Sequence, residues 1–265
     1  MHKESFYKTA IFVLIAVIIS MGAFIFFKKP ARPPVQIREV SRIPKAVKGR
    51  IAIVIDDLGY TSKNLSILDG IKHKMTFSIL PNLDYSAQIS SQLHKKGFEV
   101  ILHLPMEPDE QENLEPNTIL ASMDGPQIKT IVGSCLSGIS HVKGVSNHMG
   151  SKVTKDQRAL KVILEELKKR RLYFLDSFVT SKSLGQKLAS ELKVRFAKRD
   201  IFLDNESDAQ YIRGQIAQLK IKARENGHAI GIGHDRKLTL EVLKEELPKI
   251  AKEGYKFVFV SDLVK

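Results

Sequence analysis

Two adjacent carboxylates, Asp56 and Asp57, close the apolar run "IAIVI" at 51–55. Further along the chain, other apolar runs end in groups of the same chemical kind: His103, Asn147-His148, Asp176-Ser177, Asp204-Asn205 and His234-Asp235. A carboxylate and two imidazoles suit a divalent ion such as zinc, with one position left for water or substrate. Asp57, His103 and His148 are the first choice for that set. Water held there would have its pKa lowered to about 7 and could attack a carbonyl polarised by the same ion. Asp56 would take the proton, because metal binding keeps one carboxylate of the doublet ionised while the other stays free. His234 would protonate the leaving group. Asp176 would orient His234 or contact substrate.

Each of these groups has a plainer reading. Asp-Asp before Leu58-Gly59 also serves as a turn and N-cap pair for a helix at 61–71. His103 precedes "LPMEP" and could be an ordinary polar residue of a proline-punctuated loop. His148 in "NHMGS" could cap the next segment. Asp204-Asn205, with Glu206 and Asp208, reads as a helix N-terminus, where negative charge favours the dipole. His73, His94, His141 and His228 read as surface residues. What lifts the set above its members is their shared position at the ends of apolar runs.

That position has meaning only if the runs are strands of one sheet. Strand patterns occur at 51–55, 76–80, 98–103, 142–147, 172–176, 194–203, 228–233 and 256–260. Between them lie segments with helical periodicity, clearest at 84–96, 156–171, 206–226 and 239–253. Strands alternating with helices imply a parallel sheet covered by helices. Seven or eight such units predict an α/β barrel, in which functional groups gather at the C-terminal ends of the strands. No long internal repeat is visible.

Composition narrows the function further. The single cysteine, Cys135, excludes an internal disulfide framework and disfavours a Cys-based zinc site. The net charge of +13 is concentrated at the start: residues 1–50 carry ten Lys/Arg against two acidic residues, and the remainder carries 32 against 27. The folded part is only mildly basic, lacks tryptophan and shows no RNA-binding aromatic motif, so nucleic-acid binding is not expected. Residues 10–27 form an uncharged apolar stretch just long enough to cross a hydrocarbon core of about 30 Å. Ser20-Met21-Gly22-Ala23 is a weak cleavage site followed at once by more apolar residues, so an uncleaved membrane anchor is favoured over a signal peptide. Residues 28–50 hold four prolines and eight basic residues, suiting an extended linker against anionic headgroups or a solvated tether. The expected division is an anchor or signal segment at 1–27, a linker at 28–48 and a barrel domain at 49–265. The basic flanks leave the orientation of the anchor open.

The segments "IAIVIDDLG", "FSILP", "VILHLPMEP", "GVSNHMGS", "FLDS" with Thr180, "RDIFLDN" and "IGIGHDRKLTLEVLKEELP" resemble, in this order, the divergent polysaccharide deacetylases, a branch of the NodB-like carbohydrate esterases. The resemblance implies a distorted (β/α)7–8 barrel, a divalent-metal site and hydrolysis of N-acetyl groups on polysaccharide sugars outside the cytoplasm, hence an exported domain. It implies that Asp56 is the base, Asp57 a metal ligand and His103 the first histidine of the second motif. Glu107 stands where the second histidine of that motif is usual. His148 is the first choice for the missing ligand, with Glu107 as the alternative. His234 resembles the acid of the last motif. No segment matches the arginine-containing third motif. Two other readings stay open: a non-catalytic glycan-binding protein on a degenerate fold, and a phosphoesterase using the same ion.

Overall fold

In the computed structural model, residues 2–27 and 47–265 are described. The expected linker falls mostly on residues outside them. Helix α1 (His2–Phe27) belongs to the first of two units. Its Lys3–Phe26 stretch is long and apolar enough, by length and composition, to span a membrane.

The second unit alternates strands and helices. The strands are β1 (Gly49–Leu58), β2 (Thr76–Ile79), β3 (Glu99–Met106), β4 (Val142–Met149), β5 (Tyr173–Asp176), β6 (Phe196–Lys198), β7 (Ile201–Phe202), β8 (His228–His234) and β9 (Tyr255–Phe257). The helices are α2 (Ser86–Lys95), α3 (Gly125–Ser137), α4 (Gln157–Lys169), α5 (Gly185–Leu192), α6 (Ala209–Asn226) and α7 (Lys237–Lys252). The sheet runs β6-β5-β4-β3-β2-β1-β8-β7, with β9 added beside β1. Every pairing is parallel.

Both ends of that order are made by one stretch of chain. β6 pairs with β5, and after Arg199 and Asp200 the same segment, as β7, pairs with β8. The stretch read from sequence as one strand at 194–203 thus changes partners midway and closes the curled sheet into a distorted barrel. The helix expected at 61–71 is a shorter 3₁₀ helix, Lys63–Leu68. β3 runs on through Pro105, which the sequence had suggested as loop. β2 ends opposite Leu102, so Pro105 lies beyond its last β2 partner and its missing N–H leaves no ladder bond unmade there.

Why "IAIVI" contains no polar residue follows from this arrangement. Side chains alternate across a strand. Ile51, Ile53 and Ile55 pack outward against the helices, while Ala52 and Val54 pack inward with Ile101, Leu175, Ile230 and Ile232. Both faces are dry, as in parallel sheets generally. On the outer layer α4 presents Leu160, Ile163, Leu164 and Leu167 at helical spacing, and Asp156 caps it by accepting from the Ala159 N–H. Cys135 is fully buried in this layer, and burial pushes its thiol up to about 11, as an inert core residue requires. At the N-terminal end of the strands, Val258, Val260 and Leu263 plug the lumen. There the buried Glu99 accepts hydrogen bonds from Thr76 Oγ1 (2.8 Å), Tyr173 OH (3.0 Å) and the Ser261 N–H (3.2 Å). The opposite end is left to the polar groups.

Candidate active site at the C-terminal ends of the strands

Adjacent strand residues normally face opposite sides of a sheet. Asp56 follows Ala52 and Val54 into the lumen. Asp57 should then face outward, but it adopts a left-handed conformation (φ 64°), and the β1–β2 register slips between Ile55 and Leu58. Both carboxylates therefore open into the mouth. A left-handed non-glycine residue costs about 1 kcal/mol or more. Met149 (φ 52°) and Phe178 (φ 50°), past His148 and Ser177, are held in the same region of backbone space.

His103, from β3, points Nε2 at the doublet, 3.1 Å from Asp57 Oδ1 and 3.7 Å from Asp56 Oδ2. Its Nδ1 is held by Ser146 Oγ at 2.7 Å, and Ser146 Oγ meets Ser78 Oγ at 2.6 Å. His148, at the end of β4, brings Nδ1 within 3.0 Å of the same Asp57 oxygen. The two imidazoles lie 5.0 Å apart, edge to face. One carboxylate oxygen is thus shared by two rings from different strands.

This donor set fits a divalent cation. The ligand atoms of Asp57, His103 and His148 all lie within 4.8 Å of one another. If Nδ1–H of His103 is given to Ser146, its Nε2 lone pair faces a carboxylate oxygen, an arrangement that needs a proton or a cation between them. Two further polar atoms there, Asp56 Oδ1 and His148 Nε2, are buried without a hydrogen-bond partner. Buried polar atoms without partners are rare in native folds.

The doublet is electrostatically split. Burial raises the Asp56 pKa above the usual carboxylate range, and the neighbouring Asp57 charge adds to this against His103 and His234. For Asp57, burial also acts upward, but the hydrogen bonds and charges of His103 and His148 outweigh it and hold the carboxylate well below its ordinary value. One carboxylate stays ionised while its neighbour is the more basic.

Across the mouth, His234 ends β8 in register with Asp56. Its Nδ1 meets Asp204 Oδ1 at 2.7 Å. Asp204 is fully buried. Its second oxygen accepts from the His234 N–H (2.8 Å) and from Thr239 Oγ1 (2.6 Å). A Cβ at Gly233 would come within 2.9 Å of Thr239 Cγ2, so glycine there permits this packing. Burial disfavours the His234 imidazolium, yet the Asp204 hydrogen bond and charge win and raise its pKa. Phe202 stacks on His234 at 5.8 Å, and the Arg199 guanidinium lies over the Phe202 ring at 3.6 Å while donating to the Ser177 and Phe178 carbonyls.

The mouth encloses a cavity of about 190 Å³. Asp56, Asp57, His103, His148 and His234 line it, and Met149, Val179 and Phe202 supply apolar wall. Whole-ligand pockets are roughly 300–1,000 Å³; this one is the size of an acyl group and its nearest atoms.

Two expectations are revised. Asp176 does not orient His234: its carboxylate accepts from Ser183 Oγ (2.6 Å) and the Phe178 N–H (2.8 Å), bracing the loop after β5. Asp204 fills the orienting position instead, and it is not a helix cap; α6 begins at Ala209 with Asp208 as its cap. Glu107 is turned to the Ala121 N–H (2.7 Å) and Lys152 Nζ (2.6 Å), away from Asp57, whereas His148 reaches Asp57. Arg199 opens the segment "RDIFLDN", but its own role is not legible there, because a lone arginine in a strand-like run carries no signal of what it covers.

The chain is similar to known proteins. Residues 53–264 match the family model described as divergent polysaccharide deacetylase. The chain is 33% identical over 197 residues to the uncharacterized protein YibQ of Escherichia coli K12, covering 74% of this chain and 62% of that relative. It is 30% identical over 206 residues to an uncharacterized protein of Haemophilus influenzae Rd, covering 78% of this chain and 74% of the other. The chain therefore spans less than two thirds of the first relative's length. The crystal structure of an uncharacterized protein from Agrobacterium tumefaciens C58 superposes with a TM-score of 0.79 at 25% identity, covering 83% of this chain and 90% of that one. The match runs from inside β1 to the last residues of the lumen plug, through every strand end that lines the mouth, and the chain belongs to the divergent polysaccharide deacetylase family.

Proposed function

We propose that the chain is a metal-dependent hydrolase that removes N-acetyl groups from an amino-sugar polysaccharide of the cell envelope. The observation that carries this reading is the single Asp57 oxygen shared by His103 and His148, 3.1 and 3.0 Å away, beside the buried Asp56. Asp57, His103 and His148 hold the ion, and their mixed nitrogen and oxygen donors suit zinc. Such an ion supplies Lewis-acid polarisation of the acyl oxygen and acidifies water. Asp56, the more basic carboxylate, accepts the proton of the attacking water. His234 delivers a proton to the departing amine nitrogen, with Asp204 holding its Nδ1 so that Nε2 faces the cavity. Met149, Val179 and Phe202 shield the acyl group from bulk water. Asp176 acts by holding the loop that carries Val179. Residues 1–27 attach the chain to the membrane, 28–48 tether it, and 49–265 form the barrel, which works in the periplasm or otherwise outside the cytoplasm.

The test is elemental analysis together with acetate release from N-acetylated amino-sugar oligosaccharides. Asp56→Asn should abolish release and leave the bound metal unchanged. Full release by that variant removes Asp56 as the base. Oligosaccharide binding without turnover, across several divalent metals, replaces hydrolysis with a non-catalytic glycan-binding role, and phosphate release in place of acetate makes the protein a phosphoesterase.

A further inference from the structure

The other end of the barrel holds a second and larger cavity, on which the reading above does not depend. It arises from the way the sheet closes. Segment 196–202 leaves β5 and reaches β8 at Asp200 and Ile201, opposite Ile230 and Gly231. Below that point β6 and the start of β8 diverge, and the wedge between them is crossed by the chain end, where Phe196 and Lys265 exchange two backbone hydrogen bonds. The wedge contains a cavity of about 610 Å³, within the range of small-molecule sites, roughly 300–1,000 Å³.

Its lining has two parts. The floor is apolar, built where the lumen core, at Ile230 and Leu263, meets the outer layer, at Ala189, Val194 and Phe196. The rim is mainly cationic: Lys193, Arg195, Lys198 and Lys265 line the cavity with His228, and Asp200 is the one acidic side chain among the lining residues. Asp200 is already occupied, since its carboxylate accepts from the Ile230 N–H at 2.8 Å. Among the described residues none of the four cations pairs with a carboxylate. Arg195 donates to the Arg171 carbonyl, and Lys198 lies over the Phe178 ring. Like charges gathered around an apolar hollow without a carboxylate ion pair repel one another, and a ligand anion relieves that repulsion. An uncharged apolar ligand would leave the rim unused, and a small anion would leave the floor wet.

We propose that this wedge is a binding site for a free anionic amphiphile, an alkyl chain ending in phosphate or carboxylate, with the chain on the Phe196–Ile230–Leu263 floor and the head against Lys193 and Arg195. The chain has no tryptophan, so Ser190→Trp, at an exposed position on the cavity lining, gives a unique fluorophore. Full-length Ser190→Trp in neutral-lipid nanodiscs is titrated with octyl phosphate below its micelle concentration. The expected result is a saturable blue shift that neither octanol nor inorganic phosphate reproduces. Adding Lys193→Gln and Arg195→Gln should weaken binding about tenfold or more, since a charge-assisted contact is among the stronger ones. In the unsubstituted full chain, octyl phosphate should raise Tm while octanol does not, which guards against the tryptophan itself blocking the cavity. The proposal is overturned if octanol matches octyl phosphate, if phosphate alone saturates the signal, or if the double glutamine variant binds as tightly as its parent.

Discussion

Replacing Asp204 with alanine isolates the one carboxylate at the mouth that works entirely through another residue. Its side chain accepts three hydrogen bonds: from the His234 N–H at 2.8 Å, from Thr239 Oγ1 at 2.6 Å and from His234 Nδ1 at 2.7 Å. A buried donor left without an acceptor costs about 1–3 kcal/mol. The Thr239 hydroxyl can rotate and the His234 ring is part exposed, so the total is put at about 3–5 kcal/mol, the range for breaking a buried pair. In a domain of this size each kcal/mol moves Tm by about 2–4 °C, which gives a fall of roughly 6–20 °C. The pH dependence has a definite sign. The folded state raises His234 above 6.5, so its share of the stability is full below that value and is lost as the pH rises through the raised one. The folded state lowers Asp204 below 3.8, so its share is full above that value and is lost as the pH falls through the depressed one. The gap in Tm between the parent and Asp204→Ala should therefore be widest between about pH 4 and 6.5 and narrow towards alkaline pH. Circular dichroism melts across pH 4–9 measure the gap, and NMR titration of the His234 ring should show its midpoint moving down, because the largest opposition to burial is then gone and only the charges of Asp57 and Asp56 still act upward. A Tm loss under about 2 °C, or a ring midpoint that stays in place, would refute the assignment; so would an equal shift of that midpoint in Asp176→Ala.

Other substitutions test other parts of the design. Ser146→Ala removes the group that holds His103 Nδ1 and should lower zinc affinity about 10–100-fold, read by competition with a chromophoric chelator, with a fall in Tm of a few °C from the buried groups left unpartnered. Gly144→Ala would set a Cβ 2.4 Å from the Tyr173 ring, an overpacking that should cost about 1–3 kcal/mol or more in urea melts. Tyr173→Phe removes one hydrogen bond to the buried Glu99 and should cost about 1 kcal/mol with zinc binding unchanged.

The sequence disclosed the strands because each is a short run of apolar residues that must be dry on both faces, and it disclosed the helices whose stripes are strong, such as Leu160-Ile163-Leu164-Leu167. It hid α3, whose glycines, proline and β-branched residues are poor helix formers. The signal present there was a capping box, Asp124 bonded with Gln127 at both ends. At the mouth, Asp56, Asp57, His103, His148 and His234 could be picked out because a polar group that ends an apolar run has few structural reasons to be there. Asp204 could not, since aspartate beside asparagine and further acids is what a helix start also looks like. Nor could the choice between His148 and Glu107 be made from spacing. It depends on the parallel register of β3 and β4, which sets Pro105 opposite His148, and on Lys152 and Ala121, which draw Glu107 aside.

The place of β1 in the sheet has a consequence for biosynthesis. Residues 51–55 are the most apolar strand of the barrel, and β1 receives its neighbours β8 and β9 only from residues 228–257. At about 5–20 residues per second the ribosome needs roughly 10–35 s to reach β8 after finishing β1. During that interval β2 can pair with one edge of this sticky segment, but its other edge stays open. Such a chain is a natural client for holding chaperones until about its last seventh emerges.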